Sequence, residues 1–183
     1  MVGVFIGSFN PPTKAHLDIC LKLEKDFSKI VLVPVNSNNK NLININDRIN
    51  MLNILKRKYS FLEISDIMKK YSYVNYRIID LLNKEYNSIN IIMGSDLLEK
   101  FDTFDNYDYL LNSYNYTIIP RENIDVNKII NDKYKKYKDK FRVIDYKSNV
   151  SSTIVKEYLK ENKDLTNMID KDIYCYIKEN NLY

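Results

Sequence analysis

Short, continuous apolar runs alternate along the chain with longer stretches in which apolar residues recur every three or four positions. The runs Val2–Ile6, Ile30–Val35, Phe61–Ser65, Ile89–Met93, Tyr116–Ile119 and Phe141–Ile144 read as strands. Stretches such as Ile30-Val31-Leu32-Val33 do not alternate with polar residues, as expected of strands covered on both faces. The intervening stretches read as helices over about Ala15–Phe27, Asp47–Lys58, Tyr73–Tyr86, Leu97–Ser113 with a break near Asp102, and Val126–Lys138. Two more helices begin near Ser152 and Asp170. Ile45, Ile49, Leu52 and Leu55 line up on one helical face, as do Val74, Ile78, Leu81 and Leu82. This alternation predicts an α/β fold with a doubly wound, mainly parallel sheet and a small helical C-terminal part over 150–183. At 183 residues the chain suits a single domain, 1–183. Ligands of such sheets bind beyond the carboxyl ends of the strands, so the loop after Ile6, the segment after Met93 and that after Ile144 are expected to converge.

Charge and composition narrow the choice of partner. A net charge of +4 is mild and suits a protein that handles anionic nucleotides. The Lys/Tyr-rich run Lys133–Lys140 reads as a solvated helix face, so no nucleic-acid partner is expected. No segment approaches the roughly 20 apolar residues of a membrane span, and the first residues form a core strand without a leader pattern. A cytoplasmic protein with no membrane partner is expected, and homo-oligomerisation stays open. Cys20 and Cys175 lie far apart with one histidine in the whole chain, which argues for buried free thiols and against a metal held by protein side chains.

Three segments carry chemistry. In Gly7-Ser8-Phe9-Asn10-Pro11-Pro12-Thr13-Lys14-Ala15-His16, a strand stops at a glycine and a helix begins, aiming free backbone N–H groups and the positive helix end at one point where polyphosphate can sit. In Ser151-Ser152-Thr153, hydroxyls open another helix and can likewise cap it or hold phosphate, with Lys156 one turn on. In Gly94-Ser95-Asp96, the glycine admits close backbone approach, and the carboxylate can accept bonds from ribose hydroxyls or ring amino groups.

The first segment resembles the Gly-x-Phe-Asx-Pro and (His/Thr)-x-Gly-His signature of the nucleotidyltransferase superfamily, with Ala15 where glycine is commoner. Val150–Lys156 resembles its second signature, Ile-Ser-Ser-Thr-x-Ile-Arg, with lysine in place of arginine. Gly94 and Asp96, an aromatic eight residues on at Phe104, and Arg121 closing the next strand resemble the bacterial nicotinate mononucleotide adenylyltransferases. In that family the aromatic is usually tryptophan. The resemblance spans nearly the whole chain and implies a Rossmann-like nucleotidyltransferase fold. It implies adenylyl transfer from ATP to nicotinate mononucleotide, with Mg2+ bound through the ATP phosphates. It also implies roles residue by residue. His16, Thr13 and Lys156 are expected to be catalytic. ATP is expected at Gly7, Ser8, Phe9, His16, Gly94, Asp96, Arg121, Ser151, Ser152, Thr153 and Lys156. The mononucleotide is expected at Asn10, Lys40, Arg48, Tyr73 and Phe104. Phosphopantetheine adenylyltransferase is the enzymatic alternative, because His16–Ile19 and Ser151–Glu157 resemble that family too. A nucleotide- or RNA-binding protein without catalysis is the alternative from another class.

Overall fold

Six parallel strands in the order β3-β2-β1-β4-β5-β6 form the sheet of the computed structural model, which describes residues 1–36 and 41–183. They are β1 (Val2–Gly7), β2 (Ile30–Pro34), β3 (Leu62–Ile64), β4 (Ile89–Gly94), β5 (Asn115–Ile119) and β6 (Phe141–Val143). The chain order reverses between β1 and β4, which leaves a crevice beyond the carboxyl ends of those two strands. Every strand expected from the apolar runs is present.

Side chains of a strand point alternately to opposite faces, and here both faces are apolar. Phe5, Ile30, Leu32 and Ile92 face one layer, made by α1 (Lys14–Leu23), α2 (Ile45–Lys58), α7 (Ser152–Lys160) and α8 (Lys171–Glu179). Val2, Val4, Val31, Val33, Ile91 and Met93 face the other, made by α3 (Tyr76–Tyr86), α4 (Ser95–Leu98), α5 (Tyr107–Ser113) and α6 (Val126–Lys133). The sheet is thus doubly wound, with the C-terminal helices packed on the α1 side.

Local chemistry trims the helices expected from periodicity. Asn75 accepts the Ile78 N–H and starts α3 three residues after Tyr73, whereas Asn44 caps α2 just before Ile45. The helix expected to reach Lys138 gives way after Lys133 to a 3-10 turn over Lys135–Lys140. Tyr134 and Tyr137, on either side of that change of pitch, are both buried. The neighbouring cations are paired: Lys133 with Asp102 at 3.0 Å and Lys136 with Asp108 at 3.4 Å. Cys20 is buried as expected, but Cys175 is exposed, because its position on α8 lies off the stripe of Ile173 and Ile177 that meets the core. Among the described residues, no helix is long and apolar enough to cross a membrane.

Candidate active site

The loop after β1 is shaped by Phe9. Its backbone enters the left-handed region at φ 46°, and its ring is wholly buried against Phe5 and His16, at centroid separations of 5.4 and 5.0 Å. A non-glycine residue there costs about 1–2 kcal/mol, offset by burial of the ring. A side chain at Gly7 would press on the Phe9 ring from 3.0 Å, so any larger residue would need the ring to shift. Of the residues expected to meet ATP, Phe9 therefore offers only its backbone.

Thr13 caps α1 and His16 follows three positions on. The Thr13 backbone N–H donates to His16 Nδ1 at 3.0 Å, and the Thr13 hydroxyl lies 2.8 Å from the same nitrogen. Nδ1 is therefore the acceptor, and a neutral ring carries its proton on Nε2. Burial of the ring against Phe5 and Phe9 pulls the His16 pKa down to about 3, and the nearby Arg121 charge adds to the effect. At neutral pH His16 is therefore a neutral N–H donor. Thr13 is itself buried. Its hydroxyl is turned to the imidazole, so in this arrangement it orients His16 and does not reach out to a phosphoryl group.

The second cradle stands beside the first. Ser151 accepts the Ile154 N–H as the cap of α7, and the Ser152 hydroxyl donates to the Pro11 carbonyl at 2.8 Å across 141 residues of sequence. Thr153 is exposed and Lys156 half-buried, with no ion pair to a described residue. The Gly94 segment closes the third side. Buried Ser95 accepts the Arg121 N–H at 2.9 Å, and Asp96 approaches Arg121 Nε at 3.7 Å. A Cβ on Gly94 would collide with the Asp96 carboxylate and stand 3.3 Å from Arg121 Nε. The three segments expected to converge do so.

Beside them opens a cavity of ≈ 370 Å³, walled by Ile6, Val35 and Asn36 on one side and by Tyr73, Val74, Phe101 and Phe104 on the other. Tyr73 and Phe104, chosen for the mononucleotide, share this cavity and expose 59% and 38% of their surface. Phe101, Val35 and Asn36 were not singled out; only their adjacency to Phe104 and to the end of β2 marks them in the sequence. Asn10 and Arg48 depart from expectation. Asn10 is buried, accepts the Ile43 N–H at 3.2 Å and donates to the Asn41 carbonyl at 3.3 Å. Arg48 is wholly buried and donates to the carbonyls of Ser8, Val35 and Ile43 at 2.8–3.2 Å and to the Asn36 amide oxygen at 3.0 Å. Four of its five N–H groups are thus committed to the protein, which makes it a brace of the site and not a contact for the mononucleotide. Lys40 lies outside the described residues.

Two helix starts and an apolar cavity, set at the switch point of a parallel sheet, have the layout of a nucleotidyltransferase-type α/β protein. The cytidylyltransferase-like family matches residues 4–158, and the chain belongs to that family. It is 30% identical over its full length, and over 97% of the relative, to the "Probable nicotinate-nucleotide adenylyltransferase" of Acholeplasma laidlawii. It is 32% identical, again over its full length and over 98% of the relative, to the protein of that name from Endomicrobium trichonymphae. The fold resembles Plasmodium falciparum nicotinic acid mononucleotide adenylyltransferase complexed with NaAD. The TM-score is 0.83 at 22% identity, covering 100% of this chain and 96% of that one.

Proposed function

We infer that this protein transfers the adenylyl group of ATP to nicotinate mononucleotide, releasing pyrophosphate and forming nicotinate adenine dinucleotide. The observation that carries the reading is the aromatic-walled cavity beside two helix N-termini, room for a flat ring next to places for phosphate. Full-length similarity to nicotinate-nucleotide adenylyltransferases supports it. No general base is needed, because the attacking phosphate oxygen of the mononucleotide is already anionic at neutral pH. That oxygen forms a bond to the α-phosphorus of ATP as the bond from this phosphorus to the β-bridging oxygen breaks, and the electron pair leaves with pyrophosphate. The protein's task is to align two anions and to stabilise the charge that grows on the leaving group.

In this reading the backbone of Gly7–Phe9 and the His16 Nε2–H hold the triphosphate, with Thr13 fixing the imidazole. Ser152, Thr153 and Lys156 take the outgoing pyrophosphate, and Ser151 holds the helix start in place. Gly94, Asp96 and Arg121 receive the adenosine end. Among the described residues, no three His, Cys, Asp or Glu side chains gather as metal ligands. Magnesium fits as a companion of ATP, neutralising phosphate charge while keeping most of its waters. We further propose a cytoplasmic location.

Pyrophosphate release measured with ATP, magnesium and, in turn, nicotinate mononucleotide, nicotinamide mononucleotide or phosphopantetheine tests the assignment. The highest kcat/KM is expected with nicotinate mononucleotide. Turnover with phosphopantetheine alone would overturn the reading, and no turnover with any acceptor would favour a binding protein. Phe104→Leu keeps apolar bulk but removes the flat face, so it is expected to raise KM for the mononucleotide by about 3- to 10-fold. KM for ATP is expected to stay unchanged.

A further inference from the structure

Residues 146–183 grip the loop and helix that follow β1 by hydrogen bonds from Tyr146 to Ala15, Ser152 to Pro11, Lys14 to Met168 and Thr166, and Tyr183 to Asn10. The last of these joins a partly buried network around the buried Asn10 and Arg48. The Tyr183 hydroxyl donates to Asn10 Oδ1 at 2.9 Å, and that oxygen also accepts the Ile43 N–H. The Ile43 carbonyl accepts from Arg48 Nε, and the other Arg48 nitrogens hold Ser8, Val35 and Asn36. Val35 and Asn36 form one wall of the cavity. An unbroken chain of hydrogen bonds thus runs from Tyr183 to the surface that faces the acceptor.

Tyr183 owes its place to α8 as well as to Asn10. Tyr176 donates to Asp47 and accepts from Asn50, and Lys58 pairs with Asp170 and Asp172, each at 2.7 Å. The Leu182 N–H donates to the Ile177 carbonyl. The hydroxyl is thus delivered to Asn10 by a helix seated on α2, the helix that also carries Arg48. Burial raises the Tyr183 pKa, and the Arg48 charge opposes that rise, which marks how near the two groups lie.

We propose that Tyr183 is a positioning residue for the mononucleotide, acting through Asn10 and Arg48 to set the β1–β2 wall of the cavity. The proposal rests on the adenylyl-transfer reading. Removing the hydroxyl leaves a lone pair of a nearly dry amide without its donor, while the ring keeps its packing.

Tyr183→Phe is expected to raise KM for nicotinate mononucleotide about 3- to 10-fold, with kcat and KM for ATP within about 2-fold of the parent. Tyr176→Phe provides the contrast. It removes one tie between α8 and α2 while Lys58 still holds Asp170 and Asp172, so the helix stays seated, and it is expected to lower Tm slightly while leaving both KM values unchanged. An unchanged mononucleotide KM in Tyr183→Phe would overturn the proposal. So would a parallel change in kcat, both KM values and Tm, the mark of a purely structural role. An inactive parent protein would instead sink the adenylyl-transfer reading itself, so the two failures are distinguishable.

Discussion

His16→Asn will turn over about 10²- to 10³-fold more slowly than the parent while remaining folded, the loss expected when one preorganised donor to developing charge is removed. Asparagine is chosen because its amide oxygen can take the place of Nδ1 and still accept the Thr13 N–H, so the start of α1 survives. The Nε2–H has no counterpart in the shorter side chain. Near-parent turnover in a steady-state pyrophosphate assay would take His16 out of the mechanism. The same variant tests the charge state of the ring. With a folded pKa of about 3, His16 binds no proton in the native protein between pH 4 and 6.5, whereas the unfolded chain takes one up as pH falls below about 6.5. The unfolded state then holds more protons, so the histidine lowers stability progressively on acidification through this window and has no such effect above it. Urea titrations at pH 7 and pH 5 should therefore show a larger loss for the parent than for His16→Asn. An equal loss would mean that the ring takes up its proton as readily in the folded protein as in the unfolded chain.

Arg48→Lys is expected to cost about 3 kcal/mol of stability, or roughly 6–12 °C in Tm for a chain of this size. The lysine keeps the charge but cannot span the carbonyls of Ser8, Val35 and Ile43 and the Asn36 amide at once. Because these acceptors lie on three separate stretches of chain, the loss should appear as loosened binding of the mononucleotide as well as lower Tm. Thermal unfolding and KM measured on the same preparation check both. A variant with unchanged Tm and a raised KM would instead return Arg48 to direct contact with the substrate.

The contrast between Arg48 and His16 shows what could be read from the amino-acid order. The strands were legible because both their faces are apolar, and the two cradles because a glycine turn before one helix and a run of hydroxyls before another stand together in one chain, although either alone serves as an ordinary turn or helix cap. Tyr73 and Phe104 were expected from the family resemblance, and they do share a cavity. The bracing bonds of Arg48 and Asn10 were hidden because most of their partners are backbone carbonyls and amides, which every residue carries and no sequence pattern displays. Only the fold decides whether a polar side chain meets such groups before it meets a ligand. The charge state of His16 was hidden for a related reason, since it follows from Phe5 and Phe9, whose rings lie against it, and from the charge of Arg121, which the fold brings near from a distant segment. The pitch change at Lys133 was missed because the Lys/Tyr run gives helical periodicity no clear answer, and the burial of Tyr134 and Tyr137 decided it.

The bond between Asn10 and Tyr183 joins positions 173 residues apart. Synthesis runs from the N-terminus, so Asn10 is made 173 residues before the hydroxyl it accepts from, and the β1 turn must hold its shape in a nascent protein on its nearer partners alone.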